Sequence, residues 1–102
     1  MPSTTSFQPG NIVLVDFPFT ASGPSKPRPA LVILDTGDAD VVLARITSQT
    51  QHTTLDVTIS DWHSAGLLAP STVRLHKLAT LAKGRVQRSL GTLSGNDRLR
   101  VA

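Results

Sequence analysis

Three short stretches of this chain set reactive side chains where the backbone is constrained. In Ser25-Lys26-Pro27-Arg28-Pro29, two prolines fix the chain on either side of an arginine, just ahead of an apolar run. A held guanidinium can neutralise charge that develops on a phosphorane oxygen. The plainer alternative is an exposed arginine in a proline-rich loop. In Arg45-Ile46-Thr47-Ser48-Gln49, an apolar run turns polar. Hydroxyls at such an end can orient a phosphate or a ribose 2′-OH, or they can serve turn chemistry alone. In the third stretch, Arg74 and His76 stand at i and i+2, so strand alternation puts both on one face and Lys77 on the other. Histidine titrates in the range of general acid–base work and arginine binds phosphate, though a solvated strand face would look the same.

Other chemistries are missing their residues. The chain has no cysteine, which excludes disulfides, thiol catalysis and cysteine-based zinc sites. It has no glutamate, so a glycosidase-type carboxylate pair would need two aspartates, and no spacing points to one. His52, His63 and His76 lie 11 and 13 residues apart, without metal-ligand spacing, and we expect neither a metal nor a cofactor. No P-loop, dinucleotide fingerprint or nucleophile elbow is present. Trp62 is the sole tryptophan and there is no tyrosine, so the interleaved aromatics of a base-stacking module are absent and Trp62 is expected in the core.

The elements that must position these residues read mainly as strands. Residues 1–9 are expected to be a loose lead-in, and 10–102 a single domain, which is all that 102 residues allow. Ile12 to Phe17 is a near-continuous apolar strand. Residues 18–29 hold four prolines and one glycine and read as a long loop. Residues 30–46 read as a hairpin turning at Thr36-Gly37-Asp38, and 47–53 as a polar loop. Leu55, Val57 and Ile59 alternate with polar residues as in a half-buried strand. Ser60 is placed to cap a short helix over 61–65 that Gly66 would close. Two further strands follow, around 73–81 and 86–93, and Ser94 is placed to cap a short terminal helix. Short strands with regular turn signals predict a mainly β, small antiparallel barrel or sandwich.

The charge is unevenly placed. Lys plus Arg number 10 against 7 aspartates, a net of +3. Residues 1–44 carry a net of −2 and residues 45–102 a net of +5. Arginine forks suit phosphate, so a polyanionic partner, nucleic acid or an acidic protein segment, fits the second half. No apolar run approaches the ~20 residues of a membrane span, and the N-terminus lacks a signal-peptide pattern, so a cytoplasmic protein is expected.

In combination, four stretches resemble the MazF/PemK-type toxins of type II toxin–antitoxin systems. They are Gly10-Asn11-Ile12-Val13-Leu14-Val15-Asp16-Phe17, Arg28-Pro29-Ala30-Leu31-Val32-Ile33, Ile46-Thr47-Ser48-Gln49, and Ser71-Thr72-Val73-Arg74-Leu75-His76-Lys77-Leu78-Ala79-Thr80-Leu81. The resemblance spans residues 9–93. It implies a small SH3-like antiparallel barrel of CcdB/PemK type, with one or two short helices, that forms a homodimer. It implies a sequence-specific, metal-independent endoribonuclease that cleaves single-stranded RNA by attack of the substrate's own 2′-OH, leaving 2′,3′-cyclic phosphate and 5′-hydroxyl ends. The family's essential arginine falls on Arg28, its catalytic Thr or Ser on Thr47, and a further arginine of some members on Arg74. His76 stands where some members carry a carboxylate, and Asn11 where the family opens Gly-Asp. RNA contacts are expected from Lys26, Ser48, Gln49 and Lys77. A cognate antitoxin is expected to cover the 18–29 loop through Phe19, Pro27 and Arg28. The alternative, from another class, is a non-catalytic barrel of the same fold that acts by binding protein, as gyrase poisons do, or that binds only an antitoxin.

Overall fold

The computed structural model describes residues 6–18, 25–48 and 56–101. Six strands form one antiparallel sheet: β1 (Asn11–Pro18), β2 (Ser25–Asp35), β3 (Asp40–Thr47), β4 (Asp56–Ile59), β5 (Ser71–Ala82) and β6 (Val86–Thr92), in the order β4-β5-β3-β2-β1-β6. A 3-10 turn (Lys83–Arg85) joins β5 to β6, and a helix, α1 (Gly95–Val101), follows β6. The small, mainly β architecture is the one the sequence predicts.

The sheet is buried on both faces over its middle. Ile12, Leu31, Ala44, Ile46, Ile59 and Val73 join one core, with Leu67 and Leu93 from the connections. Val13, Val15, Ala30, Val32, Val41 and Leu43 form the other, covered by Phe7. Burial on both sides is why these strands read as continuous apolar runs instead of alternating ones. Phe7 is buried and its backbone N–H donates to Asp35 Oδ2 at 2.7 Å, so the segment read as a loose lead-in is anchored from that residue on.

One expected loop is partly strand. Ser25 to Pro29 extend β2 and pair with Leu14 to Pro18 of β1. The ladder from β2 to β3 starts only at Ala30, opposite Arg45. Among the described residues, Pro27 and Pro29 therefore sit where β2 has a neighbour on one side only. Their missing N–H groups face the unpaired side, which is where a strand tolerates proline. The hairpin loop itself, with Phe19, lies outside the described residues.

The expected helix at 61–65 is a single hydrogen-bonded turn. Ala65 N–H donates to the Asp61 carbonyl, Gly66 N–H to His63 and Leu67 N–H to Trp62, a Schellman closure with Gly66 at φ +86°. Its N-terminal donors are not capped by Ser60's own hydroxyl. Ser60 N–H and Asp61 N–H donate instead to the two oxygens of Asp97, at 3.0 and 2.9 Å. Asp97 is 1% exposed and belongs to α1. The hydroxyl of Ser94 in turn accepts the Asp97 N–H at 3.2 Å, the expected cap of α1.

These contacts complete the curl of the sheet. The turn after β4 crosses β6 backbone to backbone. A side-chain carbon at Gly66 would fall on the Leu90 carbonyl, and one at Gly91 on the Ala65 carbonyl. The strand at one edge is thus covered by the chain leaving the other, and α1 ties the two together through Asp97.

Candidate active site

A groove of about 380 Å³ opens where β2 and β3 run out of their shared ladder. Antiparallel register fixes what meets there. Ala30 stands opposite Arg45. Arg28 lies two residues outside the end of that ladder on β2, and Thr47 two residues outside it on β3. Both line the groove, with Arg45 and Ser48 beside them. Arg28 is exposed and Thr47 half-buried.

The far walls come from distant parts of the chain. Gly66 to Ala69 form one wall, and Arg88 and Leu90 of β6 another. Leu14 makes the floor between them, paired with Pro29 on one side and Arg88 on the other. Ser71 Oγ donates to the Ala69 carbonyl at 2.8 Å and pins the loop wall to the start of β5. The groove therefore offers three guanidinium groups and several hydroxyls against an apolar floor. That set can bind phosphate and stabilise added negative charge on it. Among the described residues no group of three or more metal-ligating side chains comes together.

The structure separates the residues that the sequence grouped. Arg28, Thr47 and Ser48 share the groove, with Pro27 adjoining. Arg74 does not line it. Its Nε lies 3.3 Å from Asp56 Oδ1, across the β4–β5 ladder, and the Asp56 side chain is nearly sequestered. The expected alternation of Arg74 and His76 is interrupted. Arg45 pairs with Arg74 and the next residue of β3, Ala44, with Leu78, so residues 75–77 bulge out of that ladder. Lys77 is exposed there, away from the groove. For Lys26 and His76 only the backbone is described, and Gln49 lies outside the described residues. Arg88, Ser71 and the 66–69 wall carry no signal in the sequence beyond residue type. Their place depends on sheet register and on the crossing at Gly66 and Gly91.

At the other end of the β2–β3 hairpin the charges are neutralised within the fold. Asp35 accepts N–H bonds from Phe7 and Gly37 and meets Lys83 Nζ at 2.9 Å. The Phe7 N–H first, then Lys83 and the Gly37 N–H, lower its pKa to about 2. Asp38 is lowered as well, chiefly by the Asp40 N–H and then by the Thr36 hydroxyl. A second groove, of about 640 Å³ and almost wholly apolar, runs between β2, β5 and α1. Leu78 and Leu99 on its rim are 54% and 77% exposed.

Comparisons with known proteins bear on the family and the fold. The family model described as the PemK-like, MazF-like toxin of type II toxin–antitoxin systems matches residues 8–102. No curated protein matches the chain closely enough to count as a relative. Among solved structures, an endoribonuclease in complex with its cognate antitoxin, from Mycobacterial species, superimposes with TM-score 0.74 at 19% identity, over 94% of this chain and 87% of that one. The Mycobacterium tuberculosis toxin MazF-mt6 gives TM-score 0.74 at 20% identity, over 92% and 88%. At that identity the likeness is one of fold.

Proposed function

From its membership of the PemK-like, MazF-like toxins of type II toxin–antitoxin systems, we propose that this chain is a sequence-specific, metal-independent endoribonuclease acting on single-stranded RNA. The observation that carries the reading is the groove itself: Arg28 and Thr47 line it together just beyond the end of the β2–β3 ladder, with Arg45 and Ser48 beside them. In the proposed reaction the 2′-oxygen of one nucleotide bonds to its own 3′-phosphorus. The bond from that phosphorus to the next nucleotide's 5′-oxygen breaks. The 2′-OH proton leaves to a base, and the departing 5′-oxygen takes up a proton. The products are a 2′,3′-cyclic phosphate and a 5′-hydroxyl. Arg28 binds the phosphorane oxygens and Thr47 orients the phosphate or the 2′-OH. His76, in the β5 bulge, is the candidate acid or base.

A cognate antitoxin is the proposed regulator, since one of the similar structures is of an endoribonuclease bound to its own. An acidic segment laid over Arg28 and Pro27 would block the groove directly. A homodimer is proposed as well, supported by the exposed apolar rim at Leu78 and Leu99. Cytoplasmic action goes with an RNA substrate, and no helix among the described residues is long and apolar enough to cross a membrane.

The test is cleavage of a long mixed-sequence RNA in excess EDTA, wild type beside Arg28→Ala, with end-group analysis. Metal-free cutting to cyclic phosphate ends, lost in Arg28→Ala, is expected. Folded wild type that leaves the RNA intact would overturn the nuclease reading in favour of a protein-binding barrel.

A further inference from the structure

Arg88 stands apart from the arginines around it. Arg74 is paired with Asp56, and Arg85 donates to the Asp16 carbonyl. Arg28 and Arg45 are likewise engaged within the protein. Arg88, on β6, is exposed, lines the groove, and makes no hydrogen bond or ion pair among the described residues. A guanidinium left open on a rigid strand has its donor fork available to a ligand.

Its position is fixed by the sheet. Arg88 pairs with Leu14, which pairs with Pro29. Two strand spacings, about 10 Å, therefore separate its backbone from that of β2 beside Arg28. Thr47 lies one strand further still. The backbones that carry Arg88 and Arg28 thus stand on different strands of the groove, a separation that suits successive phosphates of a bound strand better than a single one.

Leu68 completes the wall. It is 99% exposed, yet its neighbour Leu67 is 5% exposed in the core, and the preceding Gly66 closes the turn against β6. An anchored backbone holds this side chain at the groove lip beside the strand that carries Arg88. An apolar tip next to a cation matches the two halves of a nucleotide, base and phosphate.

We infer that Arg88 and Leu68 form a nucleotide subsite for single-stranded RNA, separate from the cleavage pair, in which Arg88 binds a non-scissile phosphate and Leu68 packs on a base. The inference rests on the proposed nuclease reading for its ligand and deepens it. The subsite lends affinity and positioning, and it reads no base edge, because neither contact involves base hydrogen bonding.

The experiment measures binding of a mixed-sequence, single-stranded oligodeoxynucleotide, which lacks the attacking 2′-OH, by fluorescence anisotropy from 50 to 300 mM salt. Steady-state RNA cleavage is measured in parallel. Arg88→Gln is expected to weaken binding five- to tenfold at the lowest salt. It should also flatten the log–log salt slope by about 0.7, the share of one single-strand phosphate. In cleavage it should raise KM by a similar factor and leave kcat unchanged. Arg88→Lys should restore the salt slope. Leu68→Ala should weaken binding about threefold with the slope intact. An unchanged salt slope in Arg88→Gln overturns the subsite, as does loss of kcat at constant KM, or a wild type that does not bind the oligonucleotide. A wild type that binds with an Arg88-dependent slope but does not cut RNA overturns the nuclease reading and leaves the subsite standing.

Discussion

The two ends of β2 share a strand and little else. At Asp35 the strand pairs with Val41 of β3, and the carboxylate is held by two backbone N–H groups and Lys83. At Ser25–Pro29 it pairs with β1 instead, and among the described residues no strand pairs with its other side. Charge follows the same division. Around the hairpin at 35–40 acidic groups are consumed by the fold. Around the groove three arginines face a space of about 380 Å³. Arg28 and Arg45 also have partners within the protein, so the difference lies in what the groove adds, a space in which a ligand's phosphate can join those contacts.

The sharpest way to break this comparison is at Arg28. Arg28→Ala should lower RNA cleavage by a factor of about 10² to 10³, as removal of a transition-state donor does. Its melting temperature should stay within a degree or two of wild type. A large fall in melting temperature would make Arg28 part of the scaffold and erase the distinction.

The next effect lies in the scaffold. Asp97→Ala removes two hydrogen bonds that a buried carboxylate accepts, from Ser60 N–H and Asp61 N–H, and should destabilise the fold by about 2–4 kcal/mol, since a hydrogen bond to a charged group contributes about 1.5–3 kcal/mol. Thermal unfolding reads this directly. Because the same turn carries the groove wall, cleavage should weaken along with it.

Arg74 sharpens the line between the two classes. If its main office is the contact with Asp56 across β4 and β5, then Arg74→Ala and Asp56→Ala should shift the melting temperature alike, and the double variant should add little. Cleavage by each, measured well below its melting temperature, should stay within severalfold of wild type. A hundredfold loss confined to Arg74→Ala would return it to the catalytic group.

The smallest effect is at Asp35. Its folded pKa, about 2, lies below the ~3.9 of an unfolded aspartate. The unfolded state therefore takes up the proton first as pH falls. The stabilisation is fully present above about pH 4 and fades as pH drops towards 2. Asp35→Asn should flatten that part of the stability–pH curve and leave the curve above pH 5 parallel to wild type. Urea unfolding at a series of pH values would show it.

Much of this was legible in the chain because the physics behind it is local. Near-continuous apolar, β-branched runs mark β1, β2 and β3, and Ser94 caps α1 as its type suggests. Arg28 and Thr47 stood out because prolines and a polar strand end constrain their own neighbours. The Pro-rich stretch misled for the same reason. Proline forbids a central strand, but only the sheet order shows that, among the described residues, β2 has no second neighbour there. The bulge at 75–77 likewise hides in a run that alternates perfectly well by itself.

By itself, then, the sequence determined a small β domain, its acidic and basic halves, and the two residues at the heart of the groove. Tertiary structure alone decided that Arg74 is bound to Asp56, that a carboxylate in α1 caps a turn 36 residues earlier, and that Arg88 and Leu68 come to line the same groove. The reason is physical. Propensities and alternation act within a few residues. Register, bulges and backbone crossings are set by long-range packing, and no local pattern encodes which distant side chains those will bring together.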